Sequence, residues 1–213
     1  MVHLCHSNDK GGLMKHHNAI SCKSILVLVA LGFLAGCAGV AAKPTDQTFK
    51  APSVTLDSME VAHYWGWWYY AKAVPPTKGT AGNYGAPLDL AFIFNIKNEN
   101  SFPVLMENLK FTVAFEEFNL NTLISTDTQW IPPGKTNQVR VHAMFDGEQS
   151  RLSLILVDAM KLKEKGTDAM TLIEKWWTGI SHFAFPIYIK EGAAVFKADN
   201  IVKVSAFKAI YPQ

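Results

Sequence analysis

Cysteine is nearly missing from this chain. Its 213 residues hold three, Cys5, Cys22 and Cys37, and none follows Cys37. A disulfide inside a folded domain and a cysteine-rich metal site are therefore excluded. Arginine is almost as scarce: Arg140 and Arg151 are the only two. Forked recognition of phosphate is correspondingly disfavoured. Charge of one sign is lacking too. The first 36 residues carry Lys10, Lys15 and Lys23 against Asp9, so the chain's 20 basic and 18 acidic residues become 17 of each beyond them. Without a basic field there is no footprint for nucleic acid.

Catalytic and metal-binding patterns are lacking as well. Beyond the first 37 residues the histidines are His63, His142 and His182, and no two stand at a metal-ligand spacing. Gly134-Lys135-Thr136 ends like a phosphate loop, but the glycine required at position 129 is Gln129. Glu116 and Glu117 are adjacent in a β run, where neighbours point to opposite faces, so they do not form a carboxylate pair. The expectation is a non-enzymatic protein with no cofactor and no metal site.

What the chain does have begins at its N-terminus. MKHHNAISCK (14–23) is a short basic region, and SILVLVALGFLAG (24–36) is an apolar run too short to span a bilayer. Leu34-Ala35-Gly36-Cys37 closes it. That ending resembles the bacterial lipobox, in which small residues allow the peptidase close approach and the cysteine thiol takes the lipid. Residues 1–36 are thus expected to be a signal peptide, with 1–13 an upstream extension. Cleavage falls between Gly36 and Cys37, and acyl chains on Cys37 would hold the protein to a membrane. Ala38 in the next position favours the outer membrane, facing the periplasm. Residues 38–52 are small and polar with two prolines and read as a tether.

Period-two patterning dominates the rest. SVTLDSMEV (53–61) turns Val54, Leu56 and either Met59 or Val61 inward. LDLAFIFNI (88–96) places Leu88, Leu90, Phe92, Phe94 and Ile96 on one face. The same pattern gives Leu109, Phe111, Val113 and Phe115, then Val139, Val141, Ala143 and Phe145, then Phe183, Phe185, Ile187 and Ile189. IVKVSAFKAI (201–210) reads as the last strand. One buried and one wet face per strand implies antiparallel sheets packed as a sandwich. Residues 148–178 break this pattern: Leu152, Ile155, Leu156, Ala159 and Met160 fall at helical spacing, and Asp168 begins a second helix. They read as an amphipathic helical insert between two strands.

Between two β runs, Asn95, Asn98 and Asn100 crowd one polar turn. Asparagine tolerates left-handed backbone and bonds its own turn through its amide, so the cluster is expected to set geometry, not chemistry. PSVTL (52–56), FNIKNENSFPV (94–104), MENLKFTVAF (106–115) and IPPGKTNQVRV (131–141) together resemble the type 2 late-embryogenesis-abundant family, the water-stress and hypersensitive-response (WHy) domain. The resemblance implies a fibronectin-III/immunoglobulin-like antiparallel β-sandwich over 53–213. It also implies a stress-related protective or binding role without catalytic residues. The turn Asn98-Glu99-Asn100 departs from the family's usual proline, and 63–87 and 147–179 look like insertions.

HYWGWWYY (63–70) is the strongest composition signal. Alternation would put His63, Trp65, Trp67 and Tyr69 on one face and Tyr64, Trp68 and Tyr70 on the other. Trp65, Trp67, Trp68, Tyr69 and Tyr70 are the candidate surface for an envelope protein partner, unless the insert's Trp176 and Trp177 cover the run as a second small core. The expected protein is a lipid-anchored binding or protective module of the bacterial envelope. The alternatives are an accessory subunit of an envelope assembly and a periplasmic carrier of an apolar ligand.

Overall fold

The computed structural model describes residues 43–67, 72, 77–79 and 85–212. Gly36, Cys37 and the leader lie outside the described residues, as do Trp68, Tyr69 and Tyr70.

Eight strands form in chain order: β1 (Ser53–Tyr64), β2 (Leu88–Lys97), β3 (Val104–Phe115), β4 (Phe118–Ser125), β5 (Gln129–Ile131), β6 (Thr136–Phe145), β7 (Ile187–Ala198) and β8 (Ile201–Tyr211). One sheet has the order β1-β2-β6, and the other the order β4-β3-β7-β8, with β5 also paired to β3. All pairings are antiparallel. Three strands facing five form the antiparallel sandwich that the alternation implies, in a fibronectin-III-like order.

The two sheets meet through phenylalanine. Phe111 of β3 stands edge-on to Phe92 and to Phe94 of β2, each at 5.2 Å between ring centroids. Phe94 also meets Phe207 of β8 at 5.4 Å. Edge-to-face rings gain from their quadrupoles beyond the area they bury. Each inward residue expected on β2, β3 and β6 is buried. On β1 a register shift between Leu56 and Ser58 lets Asp57 bulge out, so Met59 follows Leu56 inward and Val61, on the same face, packs partly buried against the core.

Helices α1 (Gly147–Val157), α2 (Ala159–Glu164) and α3 (Ala169–Gly179) fill the connection from β6 to β7. Asp146 caps α1, its carboxylate accepting from the N–H groups of Glu148 (3.0 Å) and Gln149 (3.2 Å). Asp168 caps α3, accepting from the Thr171 N–H at 3.0 Å. The strand expected from Phe183 begins only at Ile187. A 3-10 turn (Ile180–His182) follows α3, and Phe183 takes left-handed backbone with φ 49°. The N–H of Phe183 bonds Ile180 O and that of Ala184 bonds Gly179 O, so these groups end the helix and are not free for a ladder. Phe185 is buried all the same.

The sandwich has two distinct ends. At one, the β2–β3 and β5–β6 turns meet residues 45–52. Asn98 is fully buried there. Its Nδ2 donates to Phe102 O (2.9 Å) and Ile131 O (3.0 Å), while its Oδ1 accepts from the Asn100 N–H (2.9 Å) and Asn100 Nδ2 (2.8 Å). Asn100 in turn accepts from the Lys50 N–H at 2.9 Å and donates to Lys50 O at 2.8 Å, as a neighbouring strand would. Neither asparagine has positive φ. The cluster does set geometry, but through side-chain amides and not through left-handed backbone.

This contact shortens the tether. Phe49 is only 1% exposed and stacks edge-on to Phe102, and Lys203 Nζ donates to Asp46 O and Phe49 O. Residues 45–52 are therefore part of the domain, and the tether expected over 38–52 stops near residue 44. Its polar composition hid one aromatic anchor.

The other end carries the helices. Trp176 and Trp177 of α3 are fully buried, and Trp176 packs on Phe115 (5.5 Å) and Phe118 (5.8 Å). They close the main core and do not form a second one. The β3–β4 turn clamps the helices from below. Glu116, at φ 51°, accepts from Trp176 Nε1 (3.1 Å) and pairs with Lys175, while Glu117 pairs with Lys165 at 2.9 Å. The two carboxylates pair with lysines of different segments, although both residues line one open pocket with Pro186, Tyr188 and Lys190.

Candidate partner-binding surface

The helical end also holds the aromatic run, because β1 ends there beside Leu88 and Phe145. Gly66, at φ 83°, takes a conformation that breaks the strand, so the expected alternation through Tyr70 stops at Tyr64. Trp65 and Trp67 consequently do not share a strand face. Trp65 remains 44% exposed, with its indole N–H on His63 Nε2. Trp67 is half-buried against the core, which makes it a structural residue. Tyr64 donates its hydroxyl to Trp177 O, and burial raises its pKa above the ordinary value of 10. Trp177 Nε1 donates to Ala86 O at 2.7 Å. Of the five candidate aromatics, the structure thus exposes one, buries one in part, and does not describe three.

A second surface lies at this end. The stripe Leu152, Ile155, Leu156 and Met160 faces outward. Leu156 is 80% exposed and Met160 71%. The buried face of α1 belongs instead to Gly147, Ser150 and Leu154. Val157, 77% exposed, flanks the stripe. Met170 of α3 joins it across a groove lined by Ile155 and Leu162. The two helices are separate: Asp158 between them has φ −111° and ψ 16°, and only its N–H to Leu154 O (3.0 Å) and the Leu162 N–H to Asp158 O (2.9 Å) span the break. Exposed apolar area of this kind on a domain with a filled core marks an interaction site.

The remaining polar groups make ion pairs without a cavity chemistry. On the outer face of the three-stranded sheet, Asp89 accepts from His142 Nδ1 at 2.8 Å, and Arg140 bonds Glu60 at 2.5 Å and His142 Nε2 at 3.3 Å. Among the described residues no three His, Cys, Asp or Glu side chains are grouped to hold a metal ion, and no helix is long and apolar enough to cross a membrane.

No family profile and no curated protein matches the chain. Three solved structures are similar in shape. A protein from Archaeoglobus fulgidus is 11% identical, with a TM-score of 0.39 over 73% of this chain and 94% of its own. A Northeast Structural Genomics Consortium target is 8% identical, with a TM-score of 0.41 over 76% and 88%. The putative ApaA protein from Bordetella pertussis is 10% identical, with a TM-score of 0.37 over 76% and 94%.

Proposed function

We propose that this protein is a lipid-anchored, non-catalytic binding module of the bacterial cell envelope, of the stress-related WHy type, whose helical end is its working surface. The observation that carries the reading is the outward apolar stripe of α1 and α2. It lies at the opposite end of the sandwich from the segment that leads back to Cys37.

The geometry gives that polarity a scale. If Cys37 is acylated, residues 38–44 are the only slack before the chain is gripped by the asparagine cluster. Seven residues reach about 25 Å at most. The ten residues of β2 span roughly 33 Å from that end to the other. The asparagine end then faces the lipid and the helical end stands away from it, toward a partner in the periplasm. A stripe meant for the anchoring bilayer would sit at the other end.

Two measurements test this. Cys37→Ser should move the chain from the detergent phase to the aqueous phase. The full chain, extracted in mild detergent, should sediment as a complex larger than the micelle-bound monomer. Leu156→Asp with Met160→Asp should reduce it to the monomer while leaving Tm unchanged, since both side chains are largely exposed. A parent chain that is already monomeric would defeat the reading.

A further inference from the structure

We infer that the asparagine end of the sandwich makes a second, non-covalent contact with the phospholipid surface, through Trp130, Leu105, Val202 and Val204 on the outer face of the five-stranded sheet. This rests on acylation of Cys37 and adds a protein surface that the anchor brings to the lipid. The first support is the contrast between the two outer faces. On the three-stranded sheet polar side chains engage one another: Arg140 pairs with Glu60, His142 with Asp89, and Asn95 and Gln138 both donate to Asp57 at 2.8 and 3.3 Å. On the five-stranded sheet the register sets Trp130, Leu105, Lys197 and Val202 side by side across β5, β3, β7 and β8. Val195 and Val204 form the next row. Trp130 is 60% exposed, Val202 54% and Val204 59%, while Leu105 and Val195 are half-buried. The outer face of an antiparallel sheet is ordinarily its polar one. Here it leaves bare an apolar area on the order of 300 Å², the size at which a patch on a monomer is often functional.

The second support is where the chain enters the domain. Lys203 stands between Val202 and Val204 but turns to the other face, where it donates to Asp46 O (2.9 Å) and Phe49 O (2.7 Å). The entry segment is thus tied to the very strand that carries the two valines. From there, residues 38–44 allow at most about 25 Å of chain to an acylated Cys37. The Trp130 row lies one residue inside the starts of β3 and β8, and the Val204 row about 7 Å further along. Both rows fit within the depth of about 5–10 Å to which an interfacial element sinks between headgroups and acyl chains.

The third support is the chemistry of the rows. Tryptophan favours the headgroup level, where its ring leaves water and its N–H stays among polar groups. Lys197, in the same row, can lay its stem on the apolar surface and keep its ammonium with the headgroups. Glu107 on the neighbouring strand and Asp199 two residues on offset that charge. The contact is therefore apolar and aromatic, and it does not depend on anionic lipid.

Fluorescence quenching by phospholipid spin-labelled near the headgroup tests the contact, on the full lipidated chain in phosphatidylcholine vesicles. No cysteine follows Cys37, and acylation occupies the Cys37 thiol, so one introduced thiol takes the fluorophore. A label on Val204→Cys should be quenched several-fold more strongly than one on Thr55→Cys, an exposed site at the same end of the other sheet. It should also exceed a label on Leu156→Cys at the helical end. Trp130→Ser should cut the quenching at position 204 several-fold while leaving Tm unchanged, since its side chain is largely exposed. Mass spectrometry of the mature N-terminus separates the two readings. An acylated chain with no quenching at position 204, or with equal quenching at positions 204 and 55, would overturn this inference and keep the anchor. A mature chain without acyl groups would overturn both.

Discussion

Asn98 offers the sharpest test of what holds the asparagine end of the sandwich together. Its amide makes four good hydrogen bonds in a fully buried setting, two donated to Phe102 O and Ile131 O and two accepted from Asn100. Pro132 O, at 3.2 Å, shares one of the donated protons. Asn98→Ala strips the partner from all of these groups. A buried polar group left unpaired costs about 1–3 kcal/mol, but water entering the vacated space recovers part of that. The expected net loss is about 3–4 kcal/mol, a large share of the 5–15 kcal/mol typical of a domain. With a urea m-value of about 2 kcal/mol/M, the unfolding midpoint should fall by about 1.5–2 M. Asn98→Asp keeps the shape and the two accepted bonds, yet sets a carboxylate without a proton against three carbonyl oxygens. Protonation restores one donor, so the folded state raises the pKa of the introduced acid above the unfolded value of about 3.9. Below that pH the acid costs least. As pH rises through the folded pKa, the unfolded chain binds fewer protons than the folded one, and stability falls. Tryptophan fluorescence during urea unfolding at pH 5 and pH 7 reads both effects. A midpoint for Asn98→Ala within about 0.3 M of the parent, or an Asn98→Asp chain that gains stability with rising pH, would refute the reasoning.

Other perturbations are simpler. Gly192→Ala would drive a Cβ to 2.5 Å from the Phe207 ring and 2.6 Å from the Phe207 carbonyl oxygen, and backbone cannot rotate away. A loss of about 2–3 kcal/mol in urea unfolding is expected, and a neutral result would mean the bulge beside it yields freely. Trp177→Phe keeps much of the buried ring but leaves Ala86 O without its 2.7 Å donor, for a loss of about 2 kcal/mol by the same assay. Tyr64 has its pKa raised by burial, so its share of stability is intact below pH 10 and disappears as pH climbs through the raised value. Tm measured between pH 9 and pH 11.5 should fall less steeply for Tyr64→Phe than for the parent.

Much of the sandwich was legible because period two leaves little freedom. A strand such as β2, with Leu88 to Ile96 apolar at every second position, has one face that must be buried, although Ala91 and Ile93 of its other face are covered too. Bulges escape this logic. Nothing in SVTLDSMEV says that Asp57 is the extra residue, yet that one insertion puts Met59 and Val61, and not Ser58 and Glu60, on the inward face. Phe183 and Phe185 alternate as a strand would, but Pro186 and the end of α3 claim the backbone before Ile187. Composition misled in the same way at residues 45–52, where a polar, proline-bearing run looks like slack. One phenylalanine and one backbone pairing to Asn100 are enough to bind it to the domain.

The helix stripe was only half legible. Helical spacing shows that apolar residues share a face, but it is silent on which way the face looks. In an isolated bundle the answer is forced, since only burial holds a helix. Here α3 has already closed the open end of the sandwich with Trp176 and Trp177, and α1 needs little more than its Asp146 cap, Leu154 and the small residues Gly147 and Ser150 to lie against it. Two buried indoles fill that end of a sandwich about 10 Å thick, so the larger apolar set is the one left outward.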